Sequence, residues 1–493
     1  MHASRTVRAH DADHAVTHPA AQPAAHAVRL PGEGPGGPLP GPAERVAVAF
    51  DGLAAGTEPL TWGQWSLWEA MVRHGSWMPL GGTKALAPGT GLADLAAELR
   101  YLVTRYPSMR TRLRFDGGPE PLQEVAGAGE VLLEVHDAPA DGDPAATAAA
   151  VEAHHRHAPL DAAADWPVRM AVVRHRGAPT HLVVLICHLA TDAAGARTML
   201  REVAERSTAP AEGLQPLDQA RWQCSPAGQR QDGRALRHHE QLLRSAPLHP
   251  LRPPHPAHPL SGPTPPPGPR YWSAELRARA LGPAAAAVAR RTGATPTTVL
   301  LALYAVALAR ATGVNPVVLR PMVGNRFRPG LADVVCMLSQ LGLCSVDLAG
   351  TTLDEAVDRT RRAALGAYKH GYYDPRRFAD LLDRVSRERG PGLDVSRVFN
   401  DRRAESPDDG GAVPAAAGLR AARERSGFRW TDRTDRPSER LFLTVEDHPD
   451  GVLLSFTADV HHFPAERVEP LLRDLEGLAV AAAHDPAAPS GVH

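Results

Sequence analysis

The sequence contains very little lysine, and its charges nearly cancel. Lys84 and Lys369 are the only lysines among 54 basic residues, so arginine supplies almost all of the positive charge. The formal net charge is -1 over 493 residues. A chain with this balance lacks the broad positive surface that binds nucleic acid or an anionic membrane. We therefore expect neither as a partner.

Cysteine is also scarce, and long apolar runs are missing. The four cysteines, Cys187, Cys224, Cys336 and Cys344, are far apart and lack the spacing of a metal site. The first residues contain no apolar signal-peptide core, and no segment approaches the roughly 20 apolar residues of a membrane span. These absences favour a reducing, cytoplasmic location without a membrane anchor.

Histidine, in contrast, is abundant, with 24 in the chain. Three adjacent pairs occur, at 154–155, 238–239 and 461–462. None has a carboxylate or cysteine partner at ligand spacing in the sequence, so the pattern predicts no metal site.

One histidine follows a sequence that is typical of a buried strand. The apolar run 181–187 (HLVVLIC) leads directly into His188, and Asp192 follows four positions later. The end of a buried strand is a common place for a side chain that faces a cleft, where one imidazole can serve in acid/base chemistry. Small residues follow, and Ala193, Ala194 and Gly195 allow a helix to begin close to a neighbouring backbone or ligand.

The spacing alone is not diagnostic, because it recurs at His157/Asp161 and at His370/Asp374. From the residues by themselves, His188 is either a catalytic base or a histidine satisfied within the core.

The length predicts more than one domain. Residues 1–43, rich in Ala, His, Pro and Gly, are predicted to be a disordered leader. Helical and strand patterns then alternate in two stretches, predicted as an N-terminal lobe at 44–207 and a C-terminal lobe at 269–485. The intervening 208–268, rich in Pro, His, Arg and Gln, is predicted to be an interlobe linker that is extended at least in part. The fold class is α+β.

Several short motifs, in this order, resemble those of the condensation domains of nonribosomal peptide synthetases, within the wider superfamily of His-x-x-x-Asp acyltransferases. They are 59–68 (PLTWGQWSLW), 105–111 (RYPSMRT), 159–161 with 166–169 (PLD and WPVR), 187–193 (CHLATDA), 271–272 (YW), 324–326 (GNR) and 370–381 (HGYYDPRRFADL). The resemblance covers about residues 45–483 and depends on the order of the motifs rather than on any one of them.

The central motif departs from the family pattern His-His-x-x-x-Asp-Gly. Cys187 occupies the position of the first histidine and Ala193 that of the glycine, whereas His188 and Asp192 are retained. The resemblance implies that His188 is catalytic, that Asp192 forms an ion pair with Arg326, and that Cys187 and Ala193 support the same loop. Residues 338–341 (LSQL) replace the family's "FVNTL" element.

The resemblance also implies a fold and a chemistry. The fold would be a V-shaped pseudo-dimer of two chloramphenicol-acetyltransferase-like lobes with a central tunnel. The reaction would be acyl transfer to an amine or hydroxyl of a small-molecule acceptor, with His188 as base or orienting group. The protein itself would be freestanding. Its acyl donor would be a thioester on phosphopantetheine, presented in trans by a carrier protein or by CoA, with no tightly bound cofactor. An alternative is a catalytically inactive platform that docks carrier-bound intermediates or tailoring enzymes.

Overall fold

The computed structural model describes residues 29–32, 39, 41–118, 120–251, 268–403 and 415–493. The strands are β1 (Arg29–Leu30), β2 (Glu44–Asp51), β3 (Gly56–Pro59), β4 (Pro79–Ala85), β5 (Thr111–Arg114), β6 (Leu122–Val125), β7 (Ala128–Ala138), β8 (Leu160–Asp161), β9 (Val168–His175), β10 (Ala178–Cys187), β11 (Tyr271–Ala278), β12 (Val317–Val323), β13 (Gln340–Leu341), β14 (Cys344–Val346), β15 (Arg397–Asp401), β16 (Gly427–Thr434), β17 (Leu441–His448) and β18 (Gly451–Asp459).

The helices lie between these strands and cover them. They are α1 (Trp62–His74), α2 (Leu92–Arg105), α3 (Pro144–His157), α4 (Ala193–Glu205), α5 (Pro216–Cys224), α6 (Pro226–Ser245), α7 (Leu281–Thr292), α8 (Pro296–Thr312), α9 (Leu353–Lys369), α10 (Pro375–Arg389), α11 (Ala416–Glu424) and α12 (Val468–His484). Short 3-10 helices occupy Pro107–Arg110, His188–Ala190 and Ala465–Arg467.

Each lobe is built on one main sheet, which confirms the predicted α+β, two-lobe fold class. The first lobe has a five-stranded sheet in the order β2-β7-β9-β10-β4, and the second has a larger sheet whose main path is β13-β12-β15-β17-β18-β11-β16. In the first sheet β7 and β9 are parallel and the other neighbours are antiparallel. Strand β10 therefore lies inside the sheet between β9 and β4, so its apolar residues are buried on both faces.

Local sequence explains the elements that lead to β10. Strands β9 and β10 form a hairpin in which Ala178 pairs with His175. The two loop residues, Arg176 and Gly177, have φ values of 52° and 80°, and two consecutive positive φ values match the twist of a tight hairpin.

Helix α1 begins with a reciprocal capping box, in which Thr61 and Gln64 each bond the other's backbone N–H.

The two lobes interlock through a segment of the second lobe. Val335 and Met337 are buried among apolar residues of the first lobe. The hydroxyl of Ser108 donates a hydrogen bond to the Val335 carbonyl at 2.8 Å. A Cβ added to Gly63 would lie 2.5 Å from the Met337 carbonyl oxygen, so glycine is required for this close approach. The segment 335–337 thus fixes the second lobe against the first.

Three expectations about the chain's organisation need correction. Part of the predicted leader, β1, pairs with β8, and Leu30 is buried; residues 1–28 lie outside the described residues. The predicted linker, expected to be extended at least in part, is helical at α5 and α6. Helix α6 packs against α10 of the second lobe, whereas α5 contacts the first lobe, where Arg221 pairs with Glu58. The proline-rich part at 252–267 lies outside the described residues. Beyond the predicted lobe end at 485, Ser490 and Val492 are still buried.

The run 80–83 (LGGT) lies in strand β4, although adjacent glycines are typical of a turn. In the described ranges, no single helix has both the length and the apolar character of a membrane span; α7 and α8 meet that test only when taken together, across a bend of 107°.

Candidate active site

His188 lies at the carboxyl end of β10, where the strand passes into the 3-10 helix His188–Ala190. Its Nδ1 is 2.9 Å from the carbonyl oxygen of Thr191. Because a carbonyl oxygen only accepts hydrogen bonds, this contact requires the proton on Nδ1. In the neutral ring Nε2 then carries a free lone pair, which is the form a general base needs.

The surroundings of His188 favour the neutral ring. The side chain is half-buried. Burial lowers the pKa of His188, and this effect outweighs the backbone hydrogen bonds and the Asp192 charge, which raise it. The positive charge of Arg402, in the second lobe, adds to the lowering of the pKa. The imidazole is therefore available as a base near neutral pH.

Asp192 is buried and caps helix α4. Its Oδ1 accepts hydrogen bonds from the Gly195 N–H at 2.8 Å and from Arg326 Nη2 at 2.5 Å. Its Oδ2 accepts from the N–H groups of Leu338 and Ser339, at 3.2 and 3.1 Å, and from the Ser339 hydroxyl at 2.9 Å. Burial opposes ionisation, yet Arg326 and the hydrogen-bond donors prevail and lower the pKa of Asp192. With both oxygens occupied, this carboxylate is a structural anchor rather than a proton acceptor.

Arg326 reaches this anchor from the second lobe. Besides Asp192, it donates to the carbonyl of Val334 at 2.6 Å and to that of Cys336 at 3.3 Å. The ion pair expected between Asp192 and Arg326 is therefore present, with side chains only 3% and 15% accessible. Since the segment at 335–337 also packs into the first lobe, the pair stabilises a contact between lobes.

Gly195, three residues after Asp192, is needed for this approach. A Cβ added to Gly195 would lie 2.5 Å from Thr191 Oγ1 and 3.0 Å from Arg326 Nη2. Ala193, the first residue of α4, is half-buried.

Cys187 faces the interior of the first lobe. It is buried, and burial raises the pKa of its thiol to about 12. It lines a cavity of about 20 Å³ together with Leu189 and Ala190, a volume that holds about one water and no substrate. A protonated, enclosed thiol is a poor nucleophile.

Sequence reasoning missed several contributors. Thr191 acts through its backbone carbonyl, which no side-chain pattern reveals. Ser339 belongs to the segment that departs from the family's motif, and it nevertheless binds Asp192. Asn325, buried with φ of 58°, donates to the carbonyls of Leu338 and Gly371, and so fixes the turn before Arg326.

The other sequence candidates lie elsewhere. Asp161 accepts from the N–H groups of Ala163 and Ala164. Asp374 caps α10, and the His370 ring stacks on His238 with centroids 4.3 Å apart. The adjacent histidines have no carboxylate at ligand spacing in the sequence, whereas in the folded chain Glu134 lies beside His155.

The family comparison agrees with this fold. The model of the condensation domain matches residues 86–409, which is more than half of the chain. The chain belongs to the condensation-domain family.

Two curated relatives are 26% identical to the chain. One is CymA of Salinispora arenicola, named as a probable non-canonical nonribosomal peptide synthetase, matched over 342 residues, which are 63% of this chain and 4% of CymA. The other is the phosphinothricin tripeptide synthetase PhsC of Streptomyces viridochromogenes, matched over 361 residues, 66% of this chain and 32% of PhsC. The chain thus spans a third or less of either relative.

Solved structures share the fold. The condensation domain of the monacolin K polyketide synthase MokA has a TM-score of 0.65 at 17% identity, covering 89% of this chain and 100% of that one. The X-domain from teicoplanin biosynthesis has a TM-score of 0.63 at 19% identity, covering 90% and 98%. An X-domain from the same biosynthesis has also been solved in complex with OxyB.

Proposed function

We propose that this chain transfers an acyl group from a thioester to an amine or hydroxyl acceptor in nonribosomal peptide or related natural-product biosynthesis. The observation that carries the proposal is the state of His188. Its Nδ1 is committed to Thr191, its Nε2 is unprotonated in the neutral ring, and burial keeps its pKa below the ordinary value.

In the proposed step, the acceptor's nitrogen or oxygen attacks the thioester carbonyl carbon. Nε2 of His188 accepts the acceptor's proton as the new N–C or O–C bond forms. The C–S bond then breaks, and the departing thiolate takes up a proton to become a thiol. General-base help of this kind contributes roughly 10²–10⁴-fold, and holding both substrates together supplies about 7–11 kcal/mol more.

Asp192 and Arg326 act as positioning residues in this scheme. Four of the five hydrogen bonds to the Asp192 carboxylate come from Arg326, Leu338 and Ser339, and they tie the start of α4 to the second lobe. Cys187 and Ala193 complete the support of the same loop. In this proposal the loop holds the imidazole in place for two substrates that would meet between the lobes.

The acyl donor in this proposal is carried on phosphopantetheine, by a carrier protein or by CoA. The substrate's own arm then enters the site, and no tightly bound cofactor is needed. Membership of the condensation-domain family and similarity to peptide synthetases support this substrate class.

Thiol release from acyl-pantetheine thioesters tests the proposal. Purified protein would be mixed with a panel of these thioesters and amine or alcohol acceptors, and free thiol and product would be measured. We expect His188→Ala to lower the rate by about 10²–10⁴-fold. His181→Ala is the matched control, because His181 lies on the same strand and is also half-buried. Turnover that is equal in wild type and His188→Ala would contradict the role of His188.

A second candidate function is a docking platform without catalysis. It is favoured by Cys187 in place of the family's first histidine, and by the similarity to an X-domain fold that forms a complex with another protein. Product formation in the producing cell distinguishes the two functions. A platform predicts full product formation with His188→Ala, whereas the transferase predicts its loss.

A further inference from the structure

We propose that Glu134, His136 and His155 form a binding site for a divalent transition-metal ion of the zinc type. The site involves none of the residues assigned to acyl transfer, so it stands independently of the proposed function.

The three donors converge from two elements of the first lobe. Glu134 and His136 are two residues apart on β7, and therefore point to the same face of the sheet. His155 lies in the last turn of α3, which packs on that face. One ligand atom from each side chain lies within 4.8 Å of the others. Two imidazoles and one carboxylate are a donor set that binds zinc with a fourth position left for water.

Two of the three distances between donors are close to those around a tetrahedral ion. Glu134 Oε2 is 3.6 Å from His136 Nε2 and 3.4 Å from His155 Nε2. Bonds of about 2.0–2.1 Å at the tetrahedral angle place neighbouring ligand atoms roughly 3.3–3.4 Å apart. The third distance, between the ligand nitrogens of the two imidazoles, is within 4.8 Å, so a common ion requires only side-chain adjustment.

Two of the three donor atoms make no hydrogen bond within the part of the chain that the structure describes. They are the Nε2 atoms of His136 and His155, which are buried and face Glu134 Oε2, and His136 is only 5% accessible. A buried polar atom without a partner costs about 1–3 kcal/mol. Coordination to a metal ion would satisfy both nitrogens at once.

The two oxygens of the Glu134 carboxylate have different neighbours. Its Oε1 accepts a hydrogen bond from Arg45 at 3.2 Å, whereas Oε2 faces the two histidines. The Glu134 side chain is 23% accessible, which gives an ion a path from solvent. A bound ion would join the middle of β7 to the end of α3.

The test uses the full-length protein after treatment with a chelator, titrated with Zn²⁺ alone and with Co²⁺ alone. We expect one equivalent of Zn²⁺ to bind and raise the Tm, and Co²⁺ to give the visible d–d bands of a four- or five-coordinate site. His136→Ala and His155→Ala should each weaken binding by about 100-fold or more, since even the loss of a residue behind a ligand costs about 10–100-fold. His154→Ala is the matched control, because His154 is the exposed neighbour on the same helix, and it should bind as wild type does.

Glu134→Gln is included in case the histidine variants fail to fold. Glu134 is partly exposed, and the amide keeps its size, so this variant should keep the wild-type circular dichroism. It should nevertheless lose most of the Zn²⁺-dependent rise in Tm. The proposal is overturned if the double variant His136→Ala/His155→Ala still gives the wild-type stoichiometry and Co²⁺ spectrum, since other histidines would then hold the ion. It is also overturned if the wild type binds no Zn²⁺.

Discussion

Breaking the ion pair between Asp192 and Arg326 should destabilise the whole protein, and its magnitude follows from the contacts. Arg326→Ala leaves a nearly inaccessible carboxylate without its counter-charge, and leaves the carbonyls of Val334 and Cys336 without a donor. Removing one member of a buried pair costs about 3–5 kcal/mol. Asp192→Ala should cost a similar amount, because the N–H groups of Gly195 and of the 338–339 segment lose their acceptor.

A double-mutant cycle measures the pair itself. Urea unfolding of the wild type, both single variants and the double variant would be followed by tryptophan fluorescence. The double variant should be less destabilised than the sum of the single variants by about 0.5–3 kcal/mol, since the two residues share one interaction. Arg201 and Asp333 supply a matched control pair, with side chains 56% and 57% accessible. Removing that exposed pair should cost at most about 1 kcal/mol.

The pH dependence of the unfolding free energy is a second test of the Asp192–Arg326 ion pair. The pKa of Asp192 is lowered in the folded state from its ordinary value of 3.8. Its contribution to stability is therefore fully present above 3.8 and is lost as the pH falls through the lower pKa of the folded state. The difference in stability between wild type and Asp192→Asn should accordingly shrink in acid. Single variants within about 1 kcal/mol of wild type, or costs that simply add, would refute the reasoning.

Three further predictions concern the same loop. Because burial lowers the pKa of His188, the acid limb of the kcat/KM profile should have its midpoint below 6.5, and a midpoint above that value would contradict the assigned base. Gly195→Ala should destabilise the fold by about 1–3 kcal/mol through its clash with Thr191, whereas Gly418→Ala, where a Cβ meets nothing within 4 Å, should not; denaturant midpoints compare the two. Cys187→Ala should retain thiol release within about 10-fold of wild type, below the usual effect of a lost catalytic group, and mass spectrometry of the wild type should detect no acyl adduct on this residue.

Much of the fold was predictable because its signals are local. The hairpin of β9 and β10 follows from two β-rich runs around a glycine turn, and α1 from its capping box. The helices α5 and α6 were missed because they belong to the segment 208–268, whose overall richness in proline suggested a chain that is extended at least in part. In the structure Pro216 and Pro226 occupy first-turn positions, where proline has no hydrogen bond to lose. Composition cannot distinguish a proline that begins a helix from one that breaks it.

Close approach explains why two adjacent glycines, which are typical of a turn, can lie in a strand. Gly81 and Gly82 both lie in β4 beside β10. A Cβ on Gly81 would lie 2.2 Å from the Val184 carbonyl oxygen, so this glycine allows two strands to approach. The need for that space exists only once the strands are paired.

The parts of the candidate site that depend on side chains were predictable. His188, Asp192 and Arg326 followed from the family resemblance. The role of Thr191 was not predictable, because its backbone carbonyl, not its side chain, accepts the hydrogen bond from His188. The cluster of Glu134 with His155 was hidden because the two residues lie on different elements.

The contact that sets the protonation of His188 differs from the contacts that set the position of its loop. Thr191, inside the loop, fixes the tautomer, whereas Leu338 and Ser339 of the second lobe hold Asp192 and hence the loop's position. Ser339→Ala removes one of five hydrogen bonds to Asp192 and leaves the contact between Thr191 and His188 in place. It should therefore lower kcat without moving the acid limb of the pH profile. A shift of that limb toward 6.5, the ordinary histidine value, would mean that the lobe contact controls the base itself, and the separation would be wrong.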